Sequence, residues 1–375
     1  MAFFKQFSFN FYFIFSCMKN IKYQVFKRSL QFSFEAKTSR GAIQTHDAYL
    51  IKGTAVTGII GWGEASPLRG LSMDAIPSFE TELIKIITLL NQGKDARELD
   101  IDRFPSLCFA IETLHRDINN GGGIHNNDNP FLKGKPIAMN GLVWMNNPEQ
   151  MLQEALQKAD AGYNCIKFKI GAHQHDIECK MLEQFRKHYS PNHVQIRLDA
   201  NGAFLPDEAL NKLKDLQKFT VHSIEQPIAP KQVDAMQEIC AKSAIDIALD
   251  EELIGVNPAI DGAKLLKKIG AKYCILKPTL LGGFNASETW ISQAKKQDMS
   301  WWATSALESN IGLNAIAQWT ATKNNPLPHG LGTGALYVNN FDGPLLAEKG
   351  FLYYIATNKW SFPTSQEELN LTIHA

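Results

Sequence analysis

The strongest constraint on the fold is a repeat: from Pro136 onward, short apolar runs recur about every 25–30 residues, with amphipathic stretches between them. The runs lie at 138–144, 165–170, 195–199, 221–225, 246–250, 273–277, 300–304 and 329–332. Segments such as 149–159 and 207–216 place apolar residues at helical spacing between them. Strands that are apolar along their whole length predict a parallel sheet covered by helices. Eight such units predict a closed (β/α) barrel. A doubly wound dinucleotide fold is disfavoured, because no GxGxxG joins a strand to a helix. The run Gly330-Leu331-Gly332-Thr333-Gly334 has no clear following helix.

The first third reads differently. Residues 21–63 carry β-branched and aromatic runs punctuated by glycine, which predicts an antiparallel sheet. Periodicity turns helical from Asp74 to about Ile118, and the Gly/Asn-rich stretch 119–129 marks a boundary. The expected organisation is an α+β domain over 18–130, a barrel over 131–340 and a C-terminal segment over 341–375. Residues 1–17 form an extra segment: Gln6 to Met18 is uncharged and Phe-rich, yet too short to span a bilayer. Three readings stay open for it, namely a start mis-assigned upstream of Met18, an added N-terminal segment, and an export signal.

Charge narrows the function. The 38 basic and 38 acidic residues cancel, so no basic field exists to draw in nucleic acid or an acidic membrane. A small-molecule enzyme is expected. Six scattered cysteines without a CxxC pair argue against a zinc module or a disulfide framework and fit a reducing, cytoplasmic compartment.

In a (β/α) barrel the chemistry sits at the C-terminal ends of the strands. Five consecutive runs end in charge: Lys167 and Lys169, Asp199, Glu225, Asp250 with Glu251, and Lys277. From Lys169 the intervals are 30, 26, 25 and 27 residues, one βα period each. Any one of them is as readily a solvated loop residue or a helix cap. Five in register converge on one rim. Three carboxylates on adjacent strands repel unless a cation joins them, and an all-oxygen set selects Mg²⁺, with Mn²⁺ as a substitute. The flanking lysines then supply a general base. The pattern reads as proton abstraction beside a carboxylate, with metal and lysine stabilising the enediolate.

Several motifs carry a resemblance. Lys167-Phe168-Lys169, Asp199-Ala200-Asn201, Ile224-Glu225-Gln226-Pro227, Asp250-Glu251, Lys277-Pro278-Thr279 and Gly61-Trp62-Gly63-Glu64-Ala65-Ser66-Pro67 resemble the muconate-lactonizing-type subgroup of the enolase superfamily. The resemblance runs from about residue 19 to the C-terminus. It implies a modified TIM barrel, (β/α)₇β, under an N-terminal α+β capping domain, with 341–375 packing back on the cap. It implies Asp199, Glu225 and Asp250 as Mg²⁺ ligands and Lys169 and Lys277 as the acid/base pair.

Within the subgroup, Arg197-Leu198-Asp199, the run 277–280 and the run 305–318 resemble members that dehydrate a hydroxycyclohexadiene carboxylate to an aromatic acid. On that reading Lys169 takes the proton and Lys277 is the stabilising cation. Lys167, Arg197, Asn201, Glu251, Thr304, Ser305 and Gly330 bind substrate or support the site. The alternatives are N-acylamino acid racemisation or dipeptide epimerisation. Dipeptide epimerases of the family usually carry an Asp-x-Asp after the last strand, and here no acid follows Gly330 until Asp342. A non-catalytic binding protein is the reading from another class, disfavoured because none of the charged strand ends is missing.

Overall fold

The computed structural model describes residues 20–38, 41–124 and 129–371. The segment 1–17 and its three readings lie outside the described residues. The chain begins with an antiparallel sheet of β1 (Lys22–Thr38), β2 (Gly41–Thr54) and β3 (Ile60–Ala65), followed by α1 (Phe79–Asn91) and α2 (Pro105–Asn119). Alternation along the strands splits this sheet between two partners. Tyr23, Val25, Tyr49, Ile51 and Ala65 pack on the two helices, whereas Phe26, Leu30, Phe32, Ala48, Leu50 and Trp62 pack toward Trp144, Leu307, Ile311, Tyr337 and Phe341 of the second half. The glycines of β3 permit this closeness. A Cβ on Gly63 would stand 1.9 Å from the Ala110 carbonyl oxygen, so α2 lies directly on the strand.

After β4 (Ile137–Ala138) and β5 (Gly141–Val143) the chain alternates helix and strand: α3 (Pro148–Asp160), β6 (Cys165–Lys169), α4 (His175–His188), β7 (Gln195–Asp199), α5 (Pro206–Leu216), β8 (Val221–Glu225), α6 (Val233–Lys242) and β9 (Asp246–Leu249). It continues through α7 (Ala263–Ile269), β10 (Tyr273–Leu276), α8 (Pro278–Leu281), α9 (Phe284–Lys295), β11 (Ser300–Ala303) and α10 (Asn310–Ala321). Strands β5 to β11 form one parallel sheet in sequence order. The eighth expected strand, 329–332, is not a strand. It contributes two parallel bridges, Met139 to His329 and Thr304 to Gly330, which join the two edges of the sheet and close it. Pro328 just before it lacks an amide donor, and the chain turns into a short 3₁₀ helix at Thr333, so pairing stops after two residues.

Outward side chains of the strands, among them Ile166, Phe168, Ile196, Leu198, Ile224, Leu249 and Leu276, merge with the helices into the largest core cluster. Full burial of each stabilises the fold by about 1.5–3 kcal/mol. Inward, Ala248, Tyr273, Ile275 and Trp302 fill the barrel floor. The C-terminal segment divides its contacts. Strand β12 (Leu345–Glu348) pairs with β13 (Phe351–Tyr354), which pairs with β4 at the start of the barrel, whereas Phe362 stacks on Trp62, Arg28 pairs with Glu367 and Leu369 N–H donates to Val25 O on the cap. Among the described residues no helix is long and apolar enough to cross a membrane.

Candidate active site

Every second side chain of a barrel strand points inward. On β6 these are Lys167 and Lys169, on β7 Arg197 and Asp199. The register sets Lys169 beside Asp199 and Asp199 beside Glu225. Asp250 and Lys277 follow directly on β9 and β10. Ion pairs and hydrogen bonds run along the rim. Lys167 Nζ lies 2.8 Å from Asp199 Oδ2 and 2.6 Å from Glu225 Oε2. Lys169 Nζ lies 2.8 Å from the same Asp199 oxygen and donates to Asn201 Oδ1 at 2.7 Å, while Lys277 donates to Asp250. Asn201 Nδ2 carries the network on to Glu251 Oε1 at 3.0 Å.

Exposure separates the amines. The Lys167 side chain is 7% exposed, Lys277 11% and Lys169 18%, so Lys169 is the most open to a molecule entering the mouth. Electrostatics separates the acids. Burial pushes Asp199 up, but Lys167, Lys169 and Lys277 outweigh it and hold the carboxyl well below its usual range. Burial and the charge of Asp199 push Glu225 up to about 8. Burial opposes charge on Lys277 and Lys167, yet the acids around them prevail. Lys277 is held above its ordinary value, chiefly by Asp250, and Lys167 is raised to about 12 by Asp199 and Glu225.

Two residues beside the acids hold left-handed backbone, Asn201 at φ 44° and Gln226 at φ 40°. Such conformations cost side-chain-bearing residues energy and cluster where a site demands them. Sequence reasoning missed Gln226. Its fully buried amide oxygen accepts from Asp250 N and Glu252 N, both at 3.2 Å, and so fixes the start of the Asp250 turn from the neighbouring strand. Its place directly after Glu225 was the available signal.

Other expected pocket residues lie elsewhere. Arg197 points to the floor: its guanidinium stacks on Trp302 at 3.9 Å and donates to Pro328 O at 2.7 Å, one inward layer below Asp199. The two-residue period of the strand puts it there. Ser305 does not open to the mouth either, since its hydroxyl is buried between Glu308 and Thr333. Thr304 and Gly330 face each other across the closing bridge. A Cβ on Gly330 would stand 2.8 Å from the Thr304 side chain.

A second group of buried acids was also missed. Glu64 accepts from Ser66 Oγ, Ser309 Oγ, Ser309 N at 2.7 Å and Gly312 N at 2.8 Å, capping α10 from the other domain. Glu112 likewise accepts from Phe284 N at 2.7 Å at the start of α9. Glu308 accepts from Thr279 Oγ1, Ser305 Oγ and Ala306 N. The pairs that cross from one half to the other, Glu64 with Ser309 and Glu112 with Phe284, lie too far apart in sequence to be read as pairs.

The sheet closed on itself, its cap and the rim of acids and amines define a capped-barrel enzyme. A family model described as Enolase C-terminal domain-like matches residues 150–356, and the chain belongs to that family. The o-succinylbenzoate synthase of Desulfotalea psychrophila is 39% identical over 87% of this chain and 97% of the relative. The crystal structure of MenC from the same organism superposes with a TM-score of 0.79 at 35% identity, covering 89% of this chain and 99% of that one. The L-Ala-D/L-Glu epimerase of Bacillus subtilis is more distant, 23% identical over 82% of this chain and 86% of the relative. Its substrate-liganded structure, with a TM-score of 0.76 at 20% identity, covers 92% of this chain and 98% of that one and shares the fold.

Among the described residues, no three His, Cys, Asp or Glu side chains are already gathered closely enough to hold an ion. Lysine ammoniums stand between the acids instead. The donor set still fits a divalent cation: it is all carboxylate, it is buried, and Glu225 Oε1 has no hydrogen-bond partner, a rare condition for a buried oxygen.

Proposed function

We propose that this chain dehydrates 2-succinyl-6-hydroxy-2,4-cyclohexadiene-1-carboxylate to o-succinylbenzoate, a step of menaquinone biosynthesis, with Asp199, Glu225 and Asp250 as the ligands of Mg²⁺ or Mn²⁺. The observation that carries the reading is the gathering of Lys169, Asp199, Glu225, Asp250 and Lys277 on one rim in a chain 39% identical to a relative of that name. A divalent ion bound there supplies positive charge to the substrate carboxylate. Lys169 Nζ removes the proton alpha to that carboxylate, and Asn201 and Asp199 aim the amine at it. Lys277, tied to Asp250 at the far side of the rim, places its ammonium beside the negative charge that develops. The ring C–O bond then breaks and the ring becomes aromatic. The proton taken by Lys169 and the departing hydroxide make up the water released. The cap closes over the mouth as domain 18–130 on barrel 131–340, and the five described cysteines, all free thiols, suit a cytoplasmic enzyme.

A second reading, N-acylamino acid racemisation, is favoured by one observation. Lys169 on β6 and Lys277 after β10 stand four strands apart in the sheet, so two amines face a bound molecule from different sides. The test incubates the protein with the cyclohexadiene carboxylate and Mg²⁺ and follows the aromatic product by absorbance. Turnover abolished by EDTA and by Lys169→Ala is expected. No product from a metal-loaded, folded protein overturns the dehydratase reading, and loss of the α-deuterium from N-acylamino acids then decides the second.

A further inference from the structure

Lys277 follows β10 directly and leads straight into α8. Leu280 N and Leu281 N both donate back to the Lys277 carbonyl, so the turn moves as a unit with the lysine backbone. One side chain ties this unit to the rest of the mouth. Glu308, fully buried, accepts from Thr279 Oγ1 in the turn and from Ser305 Oγ and Ala306 N in the loop after β11. Ser305 Oγ in turn accepts from Thr333 Oγ1 at 2.6 Å, just past the segment that closes the barrel. Glu308 thus joins two successive ends of the mouth directly and a third through Ser305. The next residue, Ser309, is the N-cap of α10 and is bonded instead to Glu64 of the cap.

We infer that Glu308 is a positioning residue for Lys277: through Thr279 it fixes the turn that aims the Lys277 ammonium at Asp250 and the mouth. The catalytic part of this inference rests on the reading proposed above; the geometric part does not. A lysine that must meet charge at one atom is sensitive to its backbone, since a displacement of about 1 Å costs on the order of 100-fold in rate.

Thr279→Val keeps the shape of the side chain and removes the hydroxyl, and Thr279→Ser restores it. Ser66→Ala is the control, because it takes an equally buried hydroxyl from the neighbouring carboxylate Glu64 without touching the Lys277 turn. Two measurements are read. Trace acetylation with acetic anhydride, followed by mass spectrometry, is expected to label Lys277 severalfold faster in Thr279→Val, with Lys169 unchanged and with Thr279→Ser and Ser66→Ala like the parent. In the dehydration assay kcat is expected to fall about 10- to 100-fold in Thr279→Val, with KM within about twofold, and to recover in Thr279→Ser. Equal Lys277 labelling in all four proteins overturns the inference, as does an equal rise in Ser66→Ala. If the parent protein does not act on the cyclohexadiene carboxylate, the functional reading fails while the labelling pattern still decides the role of Glu308.

Discussion

At the barrel mouth Asp199, Glu225 and Asp250 are met by ammonium groups, whereas Glu64, at the joint between cap and barrel, and Glu308, behind the mouth, are met by hydroxyls and backbone N–H groups. Glu112 at the same joint combines a helix start with Arg116. Burial pushes Glu64, Glu112 and Glu308 up and prevails over their hydrogen bonds, so all three are raised. At the mouth three lysines reverse the direction for Asp199. Helix starts and hydroxyls supply fixed partial charge, which holds an element in place and has no proton-transfer capacity of its own. Lysines beside carboxylates are charges that an incoming anion or cation can rearrange. How an acid is satisfied, more than how deeply it is buried, separates architecture from chemistry in this molecule.

The same substitution made in both regions tests that contrast most severely. Glu225→Gln removes one charge from the mouth and leaves the volume alone. Turnover is expected to fall on the order of 10³-fold, the scale of losing a preorganised electrostatic partner. Stability should change by less than about 1 kcal/mol or rise, because acids crowded at an active site are held there at a cost to the fold. Steady-state kinetics beside urea denaturation checks both. A Glu225→Gln protein that unfolds readily and keeps its kcat would erase the distinction.

Much of the mouth was legible in the sequence because a barrel repeats. The runs 195–199 and 221–225 match β7 and β8 end to end, and one βα period separates each strand-end charge from the next. Direction within the barrel was harder to read. Arg197 and Asp199 share a face, but they stand two residues apart along the strand, enough to put Arg197 on the floor against Trp302. The eighth strand misled because an apolar run next to glycines does not reveal that pairing stops after two residues. The joint was invisible. Glu64 lies 245 residues from Ser309 in sequence, and nothing local to a GlyGluAla stretch says which helix start it will cap.

Glu64→Gln should therefore behave in the opposite way to Glu225→Gln. The amide offers one acceptor where the carboxylate used two oxygens, and it turns an N–H₂ toward buried donors. A buried donor left unpaired costs about 1–3 kcal/mol. The denaturation midpoint is expected to drop by that equivalent while kcat, measured where the variant is fully folded, stays within about twofold of the parent. A large loss of kcat without loss of stability would mean that the joint takes part in the chemistry.

The smallest effect is expected where a charge pair sits at neither place. Arg28 on β1 holds Glu367 of the C-terminal segment, with one bond at 3.0 Å and a shorter one beside it, and its guanidinium lies 3.7 Å over the Phe341 ring. Both side chains are about one-fifth exposed, 22% and 18%, so solvent screens the pair. Burial opposes charge on Glu367, but its bond to Arg28 prevails and holds the carboxyl below its ordinary value. A carboxyl depressed in the folded state stabilises the fold above the unfolded pKa, and that contribution is lost as pH falls through the folded one. Arg28→Lys keeps the charge and loses the planar fork and the stacking. It should cost no more than about 1 kcal/mol at neutral pH, less at high salt, and progressively less as the pH falls below the ordinary range of glutamate. Denaturation midpoints of parent and variant at pH 7 and pH 4, with and without 1 M salt as a rough screening limit, would show it. A cost as large as that of Glu64→Gln, or one that grows in acid, would mean that the tail belongs with the joint and holds the cap in place.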